Sequence, residues 1–352
     1  MSESPLLTIR RLSVHYPLPR WVPWRRKLFA RAVDGINFNL EAGETLGVVG
    51  ESGCGKSSLA RALVGLQPIS GGAVHFQGRD LARLGKKDWR LLRRDIQLVF
   101  QDPLASLNPR QTVARIIEQP LIALMPELDA AQRTKNVAAI LERVGLEPAL
   151  LKSKPRDLSG GQAQRVGIAR ALVVEPKLLI CDEPVSALDV SIQAQIVNLL
   201  ADLQRERNLA ILFIAHDLAI VRQLCQRVLV MYAGRVMEQG AREPLFARPV
   251  HPYTQALIRA VPGKGLASAA EGSEGEPPDP AVPLLGCAFR SRCPIADDYC
   301  GRVTPSLRRT GEGLDHYAAC HFSAPDLAEL ADSPPNAEVA LAQGRRLVTP
   351  TA

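Results

Sequence analysis

The chain has 352 residues and a formal net charge of +7, room for one large domain and a small appendix, because domains run on the order of 100 to 200 residues. No apolar run approaches the roughly 20 residues needed to cross a bilayer, which excludes a membrane-spanning helix, and Met1-Ser2-Glu3-Ser4-Pro5 lacks the basic and apolar stretches of a signal peptide. The cationic excess is too small to argue nucleic-acid binding and fits attraction to an anionic membrane surface or to a nucleotide equally well.

In chain order, Leu6–Tyr16 and Ala32–Leu40 carry strand-like patterning. Between them, Pro17–Arg31 holds Trp21, Trp24, Arg25, Arg26 and Lys27 and reads as a long hairpin loop, either exposed with partly packed tryptophans or in contact with lipid headgroups. Glu44–Val49 is a short apolar strand. It runs into Gly50-Glu51-Ser52-Gly53-Cys54-Gly55-Lys56-Ser57, and Lys56–Leu66 has helical spacing with Leu59, Ala62 and Leu63 inward. Strand, glycine loop and helix form the setting in which G-x-x-x-x-G-K-[ST] binds phosphate, since the glycines let backbone N–H groups turn inward around anionic oxygens. Lys56 is expected to bridge the β- and γ-phosphates of ATP, with amides from Gly53 to Ser57 around them and Ser52 and Ser58 completing the contacts.

Ile96–Phe100 reads as the next strand, followed by Gln101, and Pro103–Leu172 is largely helical and contains Leu158-Ser159-Gly160-Gly161-Gln162. Lys177–Cys181 and Ala210–Ile214 are short apolar strands flanking the amphipathic helix Ser191–Arg205, the alternation of a parallel sheet. The first of these strands ends in Asp182-Glu183. Adjacent strand residues point in opposite directions, so Asp182 is expected to hold Mg²⁺ beside Ser57 while Glu183 faces the γ-phosphate and polarises the attacking water. His216 follows the second strand. Arg227–Tyr232 and Arg235–Glu238, joined by Ala233-Gly234, read as a hairpin; 263–283 reads as a linker and 326–352 as a flexible tail.

Leu158–Gln162, standing just ahead of Ala163-Gln164-Arg165, together with the phosphate loop, Pro184 and Ser186-Ala187-Leu188-Asp189, resembles the ATP-binding cassette superfamily. The resemblance implies an α/β fold: an ABC-type P-loop ATPase with a RecA-like core, an antiparallel β subdomain and an α-helical subdomain at about 103–172, all within 1–250. It implies that Gln101 contacts Mg²⁺ or the water, that His216 donates to the γ-phosphate, and that Tyr16 stacks on adenine, a packed strand tyrosine being the alternative. Ser159, Gly160, Gly161 and Gln162 would complete the ATP site of a second cassette, with Asp189 at the seam. ATP would then bind the closed head-to-tail dimer better than the open one, and hydrolysis would release it.

His251-Pro252-Tyr253-Thr254-Gln255-Ala256-Leu257, followed by Gly286-Cys287-Ala288-Phe289, Arg292-Cys293-Pro294, Cys300 and Cys320, is similar to the tail of the ATP-binding subunits of dipeptide and oligopeptide importers. This implies a small Cys-rich C-terminal domain over 251–325. In that family the four cysteines can hold a [4Fe-4S] cluster; thiolates also suit zinc, and unligated thiols are the third reading. The spacing C-x5-C-x6-C-x19-C lacks the paired C-x2-C of a common zinc site. The implied protein is a peripheral ATPase on the cytoplasmic face of the inner membrane that powers peptide import. Its implied partners are a second cassette subunit, two transmembrane permeases and an extracytoplasmic peptide-binding protein, with no nucleic acid. Nickel or another small solute is the alternative cargo, and a non-transport cassette ATPase the more distant alternative.

Overall fold

A computed structural model describes residues 4–18, 29–186, 188–260, 276–311 and 315–323. Strands β1 (Leu7–Pro17) and β2 (Phe29–Leu40) lead to β3 (Thr45–Val49), helix α1 (Lys56–Leu63), β4 (Gly71–Phe76), β5 (Arg79–Asp80), α2 (Lys86–Asp95) and β6 (Ile96–Val99). Four helices follow: α3 (Pro103–Ser106), α4 (Val113–Leu124), α5 (Ala130–Arg143) and α6 (Gly160–Leu172). The chain continues through β7 (Leu178–Asp182), α7 (Val190–Arg207), β8 (Ala210–Ala215), α8 (Leu218–Leu224), β9 (Arg227–Tyr232) and β10 (Arg235–Ala241). Last come α9 (Arg242–Ala247), α10 (Pro252–Arg259), α11 (Asp298–Arg302), β11 (Arg308–Arg309) and β12 (His316–Ala318).

Two sheets organise these elements. An antiparallel sheet has the order β2-β1-β4-β5, and a larger one the order β11-β12-β10-β9-β3-β8-β7-β6. From β9 through β3, β8 and β7 to β6 the larger sheet is parallel. Its central strands β3, β7 and β8 are buried at every position, which is why they read as unbroken apolar runs rather than as alternation. Alternation returns in their packing. Leu179, Cys181, Ile211 and Phe213 share one apolar layer with Ile117, Leu121 and Val166 of the helical segment. Leu178, Ile180, Leu212 and Ile214 face the other layer, against Leu59 and Leu63 of α1 and Leu7, Leu12 and Val33 of the antiparallel sheet. A strand's period of two thus divides one sheet between two cores.

Some boundaries differ from the sequence expectation. β2 begins at Phe29, so the expected 17–31 loop is shorter at its C-terminal end, and its residues 19–28 lie outside the described residues, as does the expected 326–352 tail. Of the expected linker, 263–275 also lies outside them, but the remainder is tied down: Arg31 N–H donates to the Pro280 carbonyl at 2.9 Å. The C-terminal residues also join the main sheet, because β12 pairs antiparallel with β10 through Glu238↔Ala318, Gln239↔Tyr317 and Gly240↔His316.

Candidate active site

The loop between β3 and α1 is pressed against two neighbouring strands. A Cβ at Gly50 would stand 2.1 Å from the Met231 carbonyl oxygen, and one at Gly55 2.0 Å from that of Ala32; only glycine fits either place. This close approach fixes the loop that opens α1. Lys56 is buried, and its ammonium donates to the Gly50 carbonyl at 2.7 Å and the Glu51 carbonyl at 3.0 Å, with Glu183 Oε1 4.0 Å away. Those weak carbonyl acceptors are what an anionic phosphate would replace. Ser57 Oγ donates to Asp182 Oδ1 at 2.9 Å, pairing two hard oxygen ligands at a helix start, a donor set suited to Mg²⁺. Burial pushes the Asp182 carboxyl up, the Ser57 hydrogen bond opposes this, and the charge of Glu183 adds to it; a cation would relieve that burden.

The two carboxylates do not diverge by strand alternation, as the sequence reading had them. β7 ends at Asp182, and Glu183 adopts a left-handed backbone with φ +47°, uncommon for a residue with a side chain. The conformation is held from the neighbouring strand, since Glu183 N–H donates to the Ile214 carbonyl at 3.0 Å. Both carboxylates therefore serve one site. Glu183 Oε2 accepts from Gln101 Nε2 at 3.0 Å and lies 3.5 Å from His216 Nδ1. Gln101 comes from the end of β6 and His216 from the end of β8, so three strand ends converge on the glutamate. Strain concentrated at one such residue is a mark of functional sites.

Tyr16 reaches the same region from β1, its hydroxyl donating to Ser58 Oγ at 3.2 Å. Cys54 is buried within the loop with Lys56 Nζ 3.8 Å from its sulfur, and burial pushes its thiol up. Ser52 and Gly53 help line a cavity of about 360 Å³ together with Tyr232, Ala233 and Pro277–Pro280.

The Ser159–Gln162 run opens α6. Ser159 Oγ accepts from Gln162 N–H, and Gln162 Oε1 accepts from Ser159 N–H at 2.9 Å, a reciprocal cap. Gly161 packs so tightly on α7 that a Cβ would lie 2.7 Å from Ile192 Cγ2, whereas Ser159 and Gly160 are exposed. Asp189, at the start of α7, is exposed beside them, and Val190 is 81% exposed. Two adjoining helix N-termini thus present their free N–H groups to solvent.

Two residues without a role at the ATP site in the sequence reading also touch the phosphate loop, Tyr253 and Arg292. Glu51 N–H donates to the Tyr253 hydroxyl at 2.9 Å, and Glu51 Oε2 accepts from Arg292 Nη1 at 2.7 Å. Separations of about 200 and 240 residues leave no local signal for such contacts. The four C-terminal cysteines lie near one another. Cys287 N–H donates to the Cys300 carbonyl at 2.7 Å, and burial first, then the neighbouring thiols, push Cys287 up to about 11. Burial likewise raises Cys293, Cys300 and Cys320. Among the described residues no group of three or more His, Cys, Asp or Glu is arranged to hold a metal ion.

Fold and site together define a nucleotide-hydrolysing cassette. The family model described as "ABC transporter" matches residues 33–186, and that described as "Oligopeptide/dipeptide transporter, C-terminal region" matches residues 237–300. The Escherichia coli oligopeptide transport ATP-binding protein OppF is 50% identical over 309 residues, covering 86% of this chain and 92% of that protein. The Bacillus subtilis oligopeptide transport ATP-binding protein AppF is 43% identical over 326 residues, covering 91% and 98%. Among solved structures, the dimeric post-hydrolysis ATP-binding cassette MJ0796, bound to ADP and Pi, superposes with a TM-score of 0.61 at 28% identity, covering 67% of this chain and 99% of that one. The chain is an ABC transporter ATPase and belongs to the family of oligopeptide transport ATP-binding proteins.

Proposed function

We propose that this chain hydrolyses ATP to drive import of dipeptides or oligopeptides across the cytoplasmic membrane, working as a peripheral subunit on its cytoplasmic face. The observation that carries the catalytic part is the convergence of Gln101 and His216 on Glu183, beside a Lys56–Ser57–Asp182 cluster at the phosphate loop. Lys56 and the amides from Gly53 to Ser57 hold the β- and γ-phosphates; Ser57 and Asp182 hold Mg²⁺ with Gln101 beside it. Glu183 takes the proton of the attacking water, Gln101 and His216 orient the carboxylate, and Tyr16 stacks on adenine with its hydroxyl held by Ser58. The magnesium ion supplies charge neutralisation on the phosphates; the proton transfer belongs to the protein.

The exposed Ser159–Gln162 run and Asp189 support a head-to-tail dimer in which each cassette completes the other's site, with a paralogous cassette as partner. Two transmembrane permeases would sit above, fed by an extracytoplasmic peptide-binding protein. A cleft of about 470 Å³ between the sheet and the helical segment, lined by Gln97, Phe100, Ser106, Gln119, Pro120 and Arg170, suits a permease helix. Phe100, 38% exposed with the Arg170 guanidinium 5.9 Å from its ring centre, is its apolar contact. Co-purification with native neighbours, followed by ATP-dependent uptake of labelled peptides into proteoliposomes, tests the assignment; uptake of nickel but not peptides would overturn the cargo.

A [4Fe-4S] cluster on Cys287, Cys293, Cys300 and Cys320 is the finer reading of the C-terminal region. Its support is the thiol chemistry and the mutual nearness of the four residues. Near four iron and four sulfide per chain after anaerobic purification is the expected result; zinc alone or no metal would overturn it.

A further inference from the structure

We propose that Arg292, with Tyr253 behind it, is a positioning residue for the phosphate loop, so that the Cys287–Cys293 loop sets the affinity of the ATPase for nucleotide. The inference rests on reading residues 50–57 as the phosphate-binding loop. Its starting point is Glu51, the first side chain of that loop, which is held three ways. Its N–H donates to Tyr253 Oη at 2.9 Å, its carbonyl accepts from Lys56 Nζ at 3.0 Å, and its carboxylate accepts from Arg292 Nη1 at 2.7 Å. The Gly50–Glu51 peptide, whose carbonyl accepts from Lys56 Nζ at 2.7 Å and whose N–H donates to Tyr253, thus links the lysine to the C-terminal region.

The far end of this linkage is firmly built. The Arg292 side chain is only 13% exposed, and its guanidinium lies 5.7 Å from the Tyr232 ring centre and 5.6 Å from that of Phe289. Phe289 is fully buried, with its ring 5.2 Å from Tyr253, 5.3 Å from Tyr232 and 5.9 Å from His251. Phe289 and Arg292 both project from the few residues between Cys287 and Cys293, so one short loop supplies the wedge and the cation. That loop is secured from outside the site, with Arg290 Nη1 donating to the Gly301 carbonyl at 2.7 Å and the Leu285 carbonyl at 3.3 Å. The start of α10, which presents Tyr253, is secured by Glu238, whose carboxylate accepts from Val250 and His251 N–H at 2.9 Å each and lies 2.6 Å from His316 Nε2 in β12.

Two physical effects make Arg292 matter for nucleotide. A loop whose amides must all face one anion binds best when its peptide planes are fixed beforehand. The Glu51 carboxylate also sits beside the place a polyphosphate takes; paired with Arg292 it is neutralised, and unpaired it repels the incoming charge. The remedy for the second effect is specific. Removing the Glu51 charge should restore part of what removing Arg292 costs, an outcome that mere packing damage would not give.

The test is binding of a fluorescent ATP analogue to the full-length chain, with ATPase kinetics in the permease-bound complex. Arg292→Met is expected to raise Kd and KM for ATP about tenfold with kcat within twofold, and Glu51→Gln with Arg292→Met to recover at least half of that loss on a logarithmic scale. Arg292→Lys, which keeps the charge without the fork, should change KM by less than about threefold; should the methionine variant not fold, Arg292→Gln takes its place with the same expected loss. Unchanged Kd and KM in Arg292→Met, or a loss that Glu51→Gln does not relieve, overturns the inference. If Lys56→Ala binds the analogue normally, the phosphate-loop reading itself fails; if it loses binding while Arg292→Met keeps it, only the present inference does.

Discussion

The proposed chemistry rests on Glu183, which has a left-handed backbone and which we read as the group that takes the proton of the attacking water. Glu183→Gln keeps the shape and the hydrogen bond to Gln101 but cannot take a proton. Steady-state phosphate release should therefore fall by about 10²–10⁴ while ATP binding persists; normal turnover would remove Glu183 from its role. The Asp182-Glu183 pair was legible in the sequence, but the reason both carboxylates work together was not. Alternation along a strand would have parted them, and the turn that unites them depends on a hydrogen bond to Ile214 in another strand. His251 makes a second residue-scale case. Burial pushes its imidazole down to about 4, below the ordinary 6.5, so the unfolded chain takes up the proton first. Stability then falls as pH drops from about 6.5 towards 4, by on the order of 2 kcal/mol at pH 5. His251→Asn, which keeps an acceptor for Tyr253 N–H, should flatten that part of the pH profile in urea unfolding measured from pH 4 to 7.

Among the elements, those with a strong period were readable and those with a weak one were not. The parallel strands β3, β7 and β8 lie within a few residues of expectation because burial on both faces demands apolar runs, and helix α7 does because Ile196, Leu200 and Leu203 keep a helical period. β4 went unseen, for its sequence Gly71-Gly72-Ala73-Val74-His75-Phe76 offers only two large apolar side chains and opens on two glycines. Those glycines answer to the neighbouring strand: Gly72 has φ +82°, and a Cβ there would stand 2.2 Å from the Arg11 carbonyl oxygen. Gly72→Ala should cost more than about 1 kcal/mol, visible as a lower urea midpoint; an unchanged midpoint would mean that β1 and β4 can separate freely. β11 and β12 were also missed, since two or three residues carry no period and pair only because β10 offers an edge. The hairpin β9–β10 was legible by contrast, from Ala233-Gly234 between two apolar runs.

At the scale of the whole molecule, the proposed dimer would make the nucleotide site half of a shared one. The phosphate loop and Glu183 lie at the ends of sheet strands, whereas Ser159, Gly160 and Asp189 face solvent at the starts of α6 and α7. If one cassette completes the other, specific ATPase activity should rise with the concentration of the partner cassette and saturate. Glu183→Gln should yield dimers trapped with ATP, read by gel filtration, and adding Ser159→Arg to the same chain should prevent them. Activity per chain independent of concentration would instead assign hydrolysis to the monomer.

The position of β12 bears on how the protein is made. The strand that covers β10 emerges from the ribosome roughly 75 residues after it, several seconds at about 5–20 residues per second. Through that interval β10 keeps a bare hydrogen-bonding edge, and Glu238 waits without His316. An unpaired edge of this kind invites pairing with another nascent chain, so aggregation should depend on how quickly synthesis reaches the end. A chain stopped at residue 310 never closes the edge. It should accumulate in inclusion bodies or on chaperones even though every residue of the ATP site has been translated.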